Sequence, residues 1–123
     1  ETAVADIPQV ILHYSDKPRA EGAFDEIAND LMIGHKGPSV HFRLDDDDAI
    51  ACNVVHNLKR LGRHAMPGTL LSMPTGCHLF DHNGRPYLIP KFEPYIAIAL
   101  AFVNPEGRIR NPYRCAHLRQ FES

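Results

Sequence analysis

Long hydrophobic runs and a cysteine framework are both missing from this chain of 123 residues. The longest unbroken apolar run covers residues 96–103, which is far too short to span a membrane. The three cysteines are an odd number and contain no Cys-x-x-Cys pair, so no disulfide framework is expected and a reducing compartment is the default. We therefore expect a soluble protein that is cytoplasmic or delivered to a reducing cytosol.

The short signatures of several enzyme classes are missing as well. Residues 34–37 lack the glycine spacing of phosphate-binding loops and dinucleotide folds, and no Gly-x-Ser-x-Gly elbow is present. Eight histidines occur without a His-x-His or His-Glu-x-x-His pattern. The tightest group is Cys77, His78 and His82, and a zinc site is one interpretation of it. Adjacent strand residues point to opposite faces, which favours the interpretation that these are ordinary residues of a hairpin. We expect no metal, and for Cys77 we favour burial as a small apolar residue over a nucleophile activated by histidine.

The composition that is present, 44% hydrophobic and 23% charged residues, is that of an ordinary globular protein. The length predicts a single domain over residues 1–123. Because the chain begins with Glu1 rather than methionine, we expect it to be excised from a longer or processed protein.

Periodicity and turn signals predict an α+β fold, in which two early helices are followed by a mainly antiparallel sheet or a split barrel. Helices are predicted over residues 18–33 and 46–61, with Gly34 and Gly62 as their stops. Strands are predicted over residues 10–14, 39–44, 69–73, 77–80, 87–89, 96–103 and 108–118. Asn83-Gly84 predicts a hairpin turn. The run at 96–103 is apolar on both faces, which predicts a central strand.

Four consecutive aspartates at residues 45–48 form the only charge run. They precede the second predicted helix, so the simplest interpretation is that they cap its N-terminus and complement its dipole. A metal site is the alternative, and it would need more carboxylates at loop spacing.

Charge is unevenly distributed along the chain, whose net charge is −2. Acidic residues dominate residues 1–50 and basic residues dominate the remainder. The basic residues near the C-terminus are Arg108, Arg110, Arg114 and Arg119. This tail is suited to RNA or to an acidic partner surface, or it is a solvated face without a ligand.

Three short motifs lie where predicted elements meet. His13-Tyr14-Ser15 ends the first predicted strand, residues 37–42 lead through a glycine-bearing turn into the second, and Arg63-His64 follows the second helix. Together with residues 21–24 these motifs resemble the ADP-ribosyltransferase-like superfamily. With Asn83-Gly84 and the residues after it included, they are most similar to its RNA 2′-phosphotransferase and toxin branches, over about residues 10–95.

The resemblance implies an active site that binds NAD. The catalytic residues it implies are His13, Tyr14, His41 and Glu93. The cofactor-binding residues it implies are Ser15, Arg63 and His64, and an arginine suits a diphosphate because of its permanently charged fork. The superfamily has a late glutamate where this chain has Arg85-Pro86, and Glu93 is the nearest substitute.

We therefore expect a domain that binds NAD or a nucleotide-bearing substrate, with transferase activity on NAD if it is an enzyme, such as a toxin or effector catalytic domain. One alternative is a non-enzymatic binding module, such as an immunity protein, a phage or viral factor or an assembly subunit. Another is a small nuclease or RNA-binding domain that uses the basic tail. For His13 and His41 the structural alternative is a hydrogen-bonded core histidine.

Overall fold

The computed structural model describes residues 7–94 and 96–114. The helices are α1 (Ala20–Leu31), α2 (Val54–His64) and a short 3₁₀ helix (Pro112–Arg114). The strands are β1 (Ser39–Phe42), β2 (Leu70–Leu71), β3 (Thr75–His82), β4 (Arg85–Phe92) and β5 (Ala101–Asn104). Every strand pair is antiparallel, which confirms the predicted α+β class. The described part of the chain forms no closed barrel.

Strand β5 is the centre of a three-stranded sheet with the order β1-β5-β2. Its Phe102 pairs with His41 of β1 on one side and with Leu70 of β2 on the other. All four residues of β5 are buried, so the prediction of a central strand here is confirmed. The strand begins five residues later than predicted, after a turn in which Ala99 has a φ of 55°.

Helix α2 covers one face of this sheet. Its Leu58 is buried against Ala99 and Ala101, the small residues at the start of β5. Gly62 lies inside the helix and is buried, so the prediction that it ends the helix is wrong. A Cβ atom at Gly62 would collide with the side chain of Val40 on β1. The absence of a side chain at Gly62 therefore allows α2 to pack closely on the sheet.

The start of α2 also differs from the prediction. The helix begins at Val54, and its N-cap residue Asn53 makes no capping hydrogen bond with its side chain. The aspartates at 45–48 lie well before that point, so their predicted capping role is wrong. Instead they form a turn, in which the amide of Asp48 donates to the carbonyl of Asp45 over 3.2 Å.

Helix α1 matches its prediction closely, and Gly34, with a φ of 77°, follows its end as expected. The strand predicted over residues 10–14 is wrong. Val10, Ile11 and Leu12 are exposed and pair with no strand of the described chain. Both edges of β5 are already occupied by β1 and β2, so an apolar segment at this point finds no central position in the sheet.

Strands β3 and β4 form a separate hairpin, paired from Thr75 with Phe92 to His82 with Arg85. At its tip, Asn83 and Gly84 both have positive φ angles, as a two-residue hairpin loop requires. Every residue of both strands is exposed. The expectation that Cys77 is buried is therefore wrong, because Cys77 is exposed and no other described helix or strand covers the hairpin.

After β5 the chain turns back, and residues 108–114, the described part of the strand predicted over 108–118, form no strand. Asn104 closes this loop, because its side-chain oxygen accepts from the amide of Arg110 over 2.8 Å. The 3₁₀ helix follows, and residues 115–118 lie outside the described residues, as does Arg119. No helix in the described ranges is long and apolar enough to cross a membrane.

Candidate functional site

A polar turn follows β1 directly, at residues 43–48, and we call it the acidic turn. Its first residue, Arg43, is held on the central sheet by its backbone. The amide of Arg43 donates to the carbonyl of Leu100, and its carbonyl accepts from the amide of Ala99, each over 3.1 Å. The acidic turn therefore starts from a fixed point beside the buried start of β5.

The side chain of Arg43 organises the start of this turn. Its Nη2 atom donates to Oδ1 and Oδ2 of Asp45 over 2.9 and 2.6 Å. The guanidinium lies 4.6 Å from the ring centroid of Tyr113, and only 15% of the Arg43 side chain is exposed. A charge-assisted pair with this little exposure to solvent orients both side chains. Arg43 is thus a positioning residue for Asp45.

Two aromatic rings support the acidic turn from the side of α1. Phe24 of α1 stacks on Tyr113 of the 3₁₀ helix, with ring centroids 4.3 Å apart and planes 8° from parallel. The Tyr113 hydroxyl donates to the carbonyl of Leu44 over 2.7 Å. Burial raises the pKa of Tyr113 above its ordinary value, and the neighbouring Asp45 raises it further. The phenol therefore stays a hydrogen-bond donor to the turn.

The remaining carboxylates of the acidic turn differ in their exposure to solvent. Asp46 and Asp47 are exposed, whereas Asp48 is half-buried. Burial raises the pKa of Asp48, and the charges of Asp47 and Asp45 raise it further. Negative charge is therefore crowded here, and a cation would relieve it.

The chemistry of these donors fits a divalent cation that brings further ligands with it. Among the described residues no group of three or more His, Cys, Asp or Glu side chains is placed to hold a metal ion. Mg²⁺, however, commonly takes one or two carboxylates and completes its shell with substrate phosphates and water. The exposed oxygens of Asp46 and Asp47 are of this hard type, so the acidic turn fits a cation shared with a phosphate-bearing ligand.

A cavity of about 530 Å³ opens beside the acidic turn, and we call it the hairpin-base cavity. Ala49, which follows Asp48 in the chain, is part of its wall. The apolar wall residues are Ala49, Ile50, Ala51, Val54, Met73, Pro74, Leu88, Ile96, Ile98 and Ala99. The others are Thr75, Gly76, Cys77, His78, Lys91 and Glu93, all from the hairpin or the residue after it. Its volume is in the range of small-molecule sites.

The first predicted motif lies away from both features. His13, Tyr14 and Ser15 are exposed in the segment before α1, where Ser15 Oγ accepts from the amide of Lys17 over 3.2 Å. The expectation that His13 is a core histidine is wrong, because no strand or helix buries it.

The other predicted residues are divided among different elements. His41 on β1 is half-buried and its Nε2 lies 2.9 Å from Ser39 Oγ, so it is hydrogen-bonded but not fully buried, and its catalytic role stays a prediction. Arg63 and His64 are exposed at the end of α2. That helix packs on the Val40 face of β1, and alternation along a strand places His41 on the opposite face.

Glu93 is the one predicted site residue in the hairpin-base cavity. Its Oε2 pairs with Nζ of Lys91 over 2.8 Å. Which of the predicted residues take part in catalysis stays a prediction. The sequence reasoning missed Arg43 and Tyr113 entirely, although an arginine that ends a strand just before four aspartates was a visible signal for the acidic turn.

Comparison with known proteins gives one match. Residues 1–122 match the model of a family described as "putative rhamnosyl transferase". Since this covers nearly the whole sequence, the chain belongs to that family, whose description is that of a glycosyl-transferring enzyme class. No curated protein and no solved structure gives a match.

This membership overturns the assignment to the ADP-ribosyltransferase-like superfamily. The inferences of ADP-ribosyl transfer from NAD and of a toxin or effector domain are wrong with it. The assignment failed because each of its motifs is two to six residues long, whereas the family match extends over residues 1–122. The binding-module and RNA-binding alternatives gain no support from the match. NAD binding and a partner at the basic tail stay predictions.

Proposed function

We propose that this chain takes part in the transfer of a rhamnosyl group from a phosphate-activated donor to the hydroxyl group of an acceptor. The observation that carries the proposal is the family match over residues 1–122. In such a transfer the bond between the anomeric carbon and the donor phosphate breaks, with its electron pair leaving on the phosphate. The acceptor oxygen forms the new bond and loses its proton.

The acidic turn is the part of the chain suited to the donor phosphate. Asp46 and Asp47 would hold a divalent cation, which would supply positive charge next to the departing phosphate. Arg43 supports this arrangement indirectly, because its guanidinium is committed to Asp45 and so fixes the first carboxylate of the turn. The turn itself is secured to the sheet and to Tyr113, which favours a preorganised site over a mobile one.

The carboxylates of the acidic turn would also stabilise the positive charge that the sugar carries in the transition state. Glycosyl transfer passes through an oxocarbenium-like state that carries positive charge on the sugar ring. A carboxylate close to the sugar would stabilise such charge more than it stabilises the neutral ground state. The hairpin-base cavity begins at Ala49, one residue beyond the turn, so the sugar would lie between the turn and the cavity.

The proposal is tested by calorimetric titration of the full chain with dTDP-rhamnose in millimolar Mg²⁺. We expect saturable binding, and we expect Asp47→Asn to weaken it by about tenfold, the value of one charge-assisted contact. Asp47 is exposed, so this substitution leaves the fold intact. Asp30→Asn, which removes an exposed charge from α1, is the matched control and should bind like the unaltered chain.

A second readout follows the donor itself. Slow release of free rhamnose from bound donor, with water as the acceptor, should decrease in Asp47→Asn and remain in Asp30→Asn. Absence of donor binding at millimolar concentration, or an equal effect of the two substitutions, would contradict the proposal.

A further inference from the structure

The hairpin-base cavity has two chemically distinct walls. Apart from Leu88 on β4, the apolar wall comes from the body of the protein, and Ile50, Val54 and Met73 in it pack directly against the buried core. The polar wall comes from the base of the hairpin. A cavity with one apolar and one polar side selects a ligand with the same division.

The apolar wall is aliphatic. Among its described residues no aromatic ring is present, and Ile96 and Ile98 extend the surface of Ile50 and Val54. Aliphatic walls of this kind favour the methylene groups of a chain, which they remove from water without offering hydrogen bonds to hydroxyl groups. A polyhydroxylated ring would leave most of its hydroxyl groups unpaired on this side.

The polar wall offers hydrogen bonds at one end of the cavity. Thr75 and His78 lie on β3, and the Lys91–Glu93 ion pair faces them from β4 and the residue after it. The amide of Glu93 donates to the carbonyl of Pro74 over 2.8 Å, which fixes the base of the hairpin. These donors and acceptors can hold a hydroxyl group.

From this division we infer that the hairpin-base cavity binds the acceptor as an aliphatic alcohol, with its chain on the isoleucine wall and its hydroxyl group at the hairpin base. This inference rests on the proposed function for the word acceptor, because the proposed rhamnosyl transfer needs an acceptor hydroxyl group. The binding of an aliphatic alcohol at this position does not depend on the donor and is measured without it.

The probes are 1-hexanol, 1-octanol and glycerol, titrated into the full chain labelled at isoleucine methyl groups and observed by NMR. Each added methylene group should tighten binding about fourfold, so 1-octanol should bind about fifteenfold more tightly than 1-hexanol. The methyl signals of Ile50, Ile96 and Ile98 should shift. Glycerol should cause no saturable shift.

The hairpin offers an unusually close pair of variants. Leu88 and Leu79 face each other across the two strands and are 67% and 68% exposed, but only Leu88 lines the cavity. Leu88→Asn should weaken 1-octanol binding at least threefold, whereas Leu79→Asn should leave it unchanged. Both side chains are exposed, so neither substitution removes a buried group.

The outcomes separate this inference from the proposed function. Binding of 1-octanol that depends on Leu88, together with formation of octyl rhamnoside from dTDP-rhamnose, supports it. If dTDP-rhamnose binds but 1-octanol does not, or if binding is independent of chain length, the inference is overturned and the proposed function stands. If 1-octanol binds but the donor does not, the proposed function fails and the acceptor assignment is overturned with it.

Discussion

Two glycines within helices make a sharp test of how α2 packs on the sheet. Gly62 in α2 and Gly22 in α1 are both helical, but their surroundings differ. A Cβ atom at Gly62 would collide with Cγ2 of Val40, whereas at Gly22 the nearest atom outside the helix would be Cδ of Lys17 at 3.4 Å, an ordinary contact. The substitution Gly→Ala should therefore have opposite effects on stability at the two positions.

The magnitudes follow from two opposing contributions. Alanine is favoured over glycine in a helix interior by about 1 kcal/mol. Overpacking against a rigid neighbour costs about 1–3 kcal/mol, and the stiff β-branched Val40 places Gly62→Ala near the upper end. We expect Gly62→Ala to lower the free energy of unfolding by about 2 kcal/mol from these terms. Gly22→Ala, with no clash, should raise it by about 0.5–1 kcal/mol.

Urea denaturation followed by circular dichroism measures both changes. A third variant combines Val40→Ala with Gly62→Ala. Gly62→Ala should lower the free energy of unfolding less in this background than in the unaltered chain, because residues 40 and 62 are in contact and their effects are not additive. A clash at Gly62 is refuted if Gly62→Ala is as stable as the unaltered chain. It is also refuted if Gly62→Ala costs as much unfolding free energy in the Val40→Ala background as in the unaltered chain.

Two further predictions concern the residues around β1. Burial lowers the pKa of His41, and the charge of His35 makes a smaller contribution in the same direction. Below the unfolded pKa of about 6.5 the unfolded chain therefore binds more protons than the folded chain. Stability should fall as the pH decreases through that region. His41→Gln should flatten this part of the pH profile in urea denaturation, and an unchanged profile would assign the dependence to another group. Tyr113→Phe removes the hydrogen bond to the Leu44 carbonyl and should cost about 1 kcal/mol of unfolding free energy. Thermal denaturation checks this, with Tyr87→Phe on the exposed hairpin as the control, and equal effects of the two substitutions would contradict it.

Local signals predicted the elements whose structure is determined by their own residues. Helix α1, with its apolar positions at helical spacing and Gly34 at its end, needs little tertiary information. The hairpin follows from Asn83-Gly84, because a turn of this type specifies which residues pair beside it. The central position of β5 follows from a run that is apolar on both faces, since only a covered strand tolerates that composition.

The errors arise where a residue pattern has two physical solutions. The apolar residues at 10–14 are as suitable for a strand as those of β1, but both sides of the central strand β5 are filled by β1 and β2, and the segment stays exposed. Gly62 illustrates the same ambiguity, because a glycine near a helix end is either a stop or a point of close packing. Which solution holds depends on Val40, a residue 22 positions earlier in the sequence.

The acidic turn shows why the candidate site was harder to predict than the fold. A run of aspartates stabilises a helix only within its first turn, and α2 begins at Val54, six residues after Asp48. The alternative use of the run is set by Arg43, whose backbone is held by Ala99 and Leu100 from a distant part of the chain. Once Arg43 is fixed there, its Nη2 atom holds the carboxylate of Asp45, the first aspartate of the run. Burial raises the pKa of Asp48, and the nearby charges of Asp47 and Asp45 raise it further, so the run carries a cost in mutual repulsion. A divalent cation would offset that repulsion and would in turn attract a donor phosphate, which is the role proposed for the turn in glycosyl transfer.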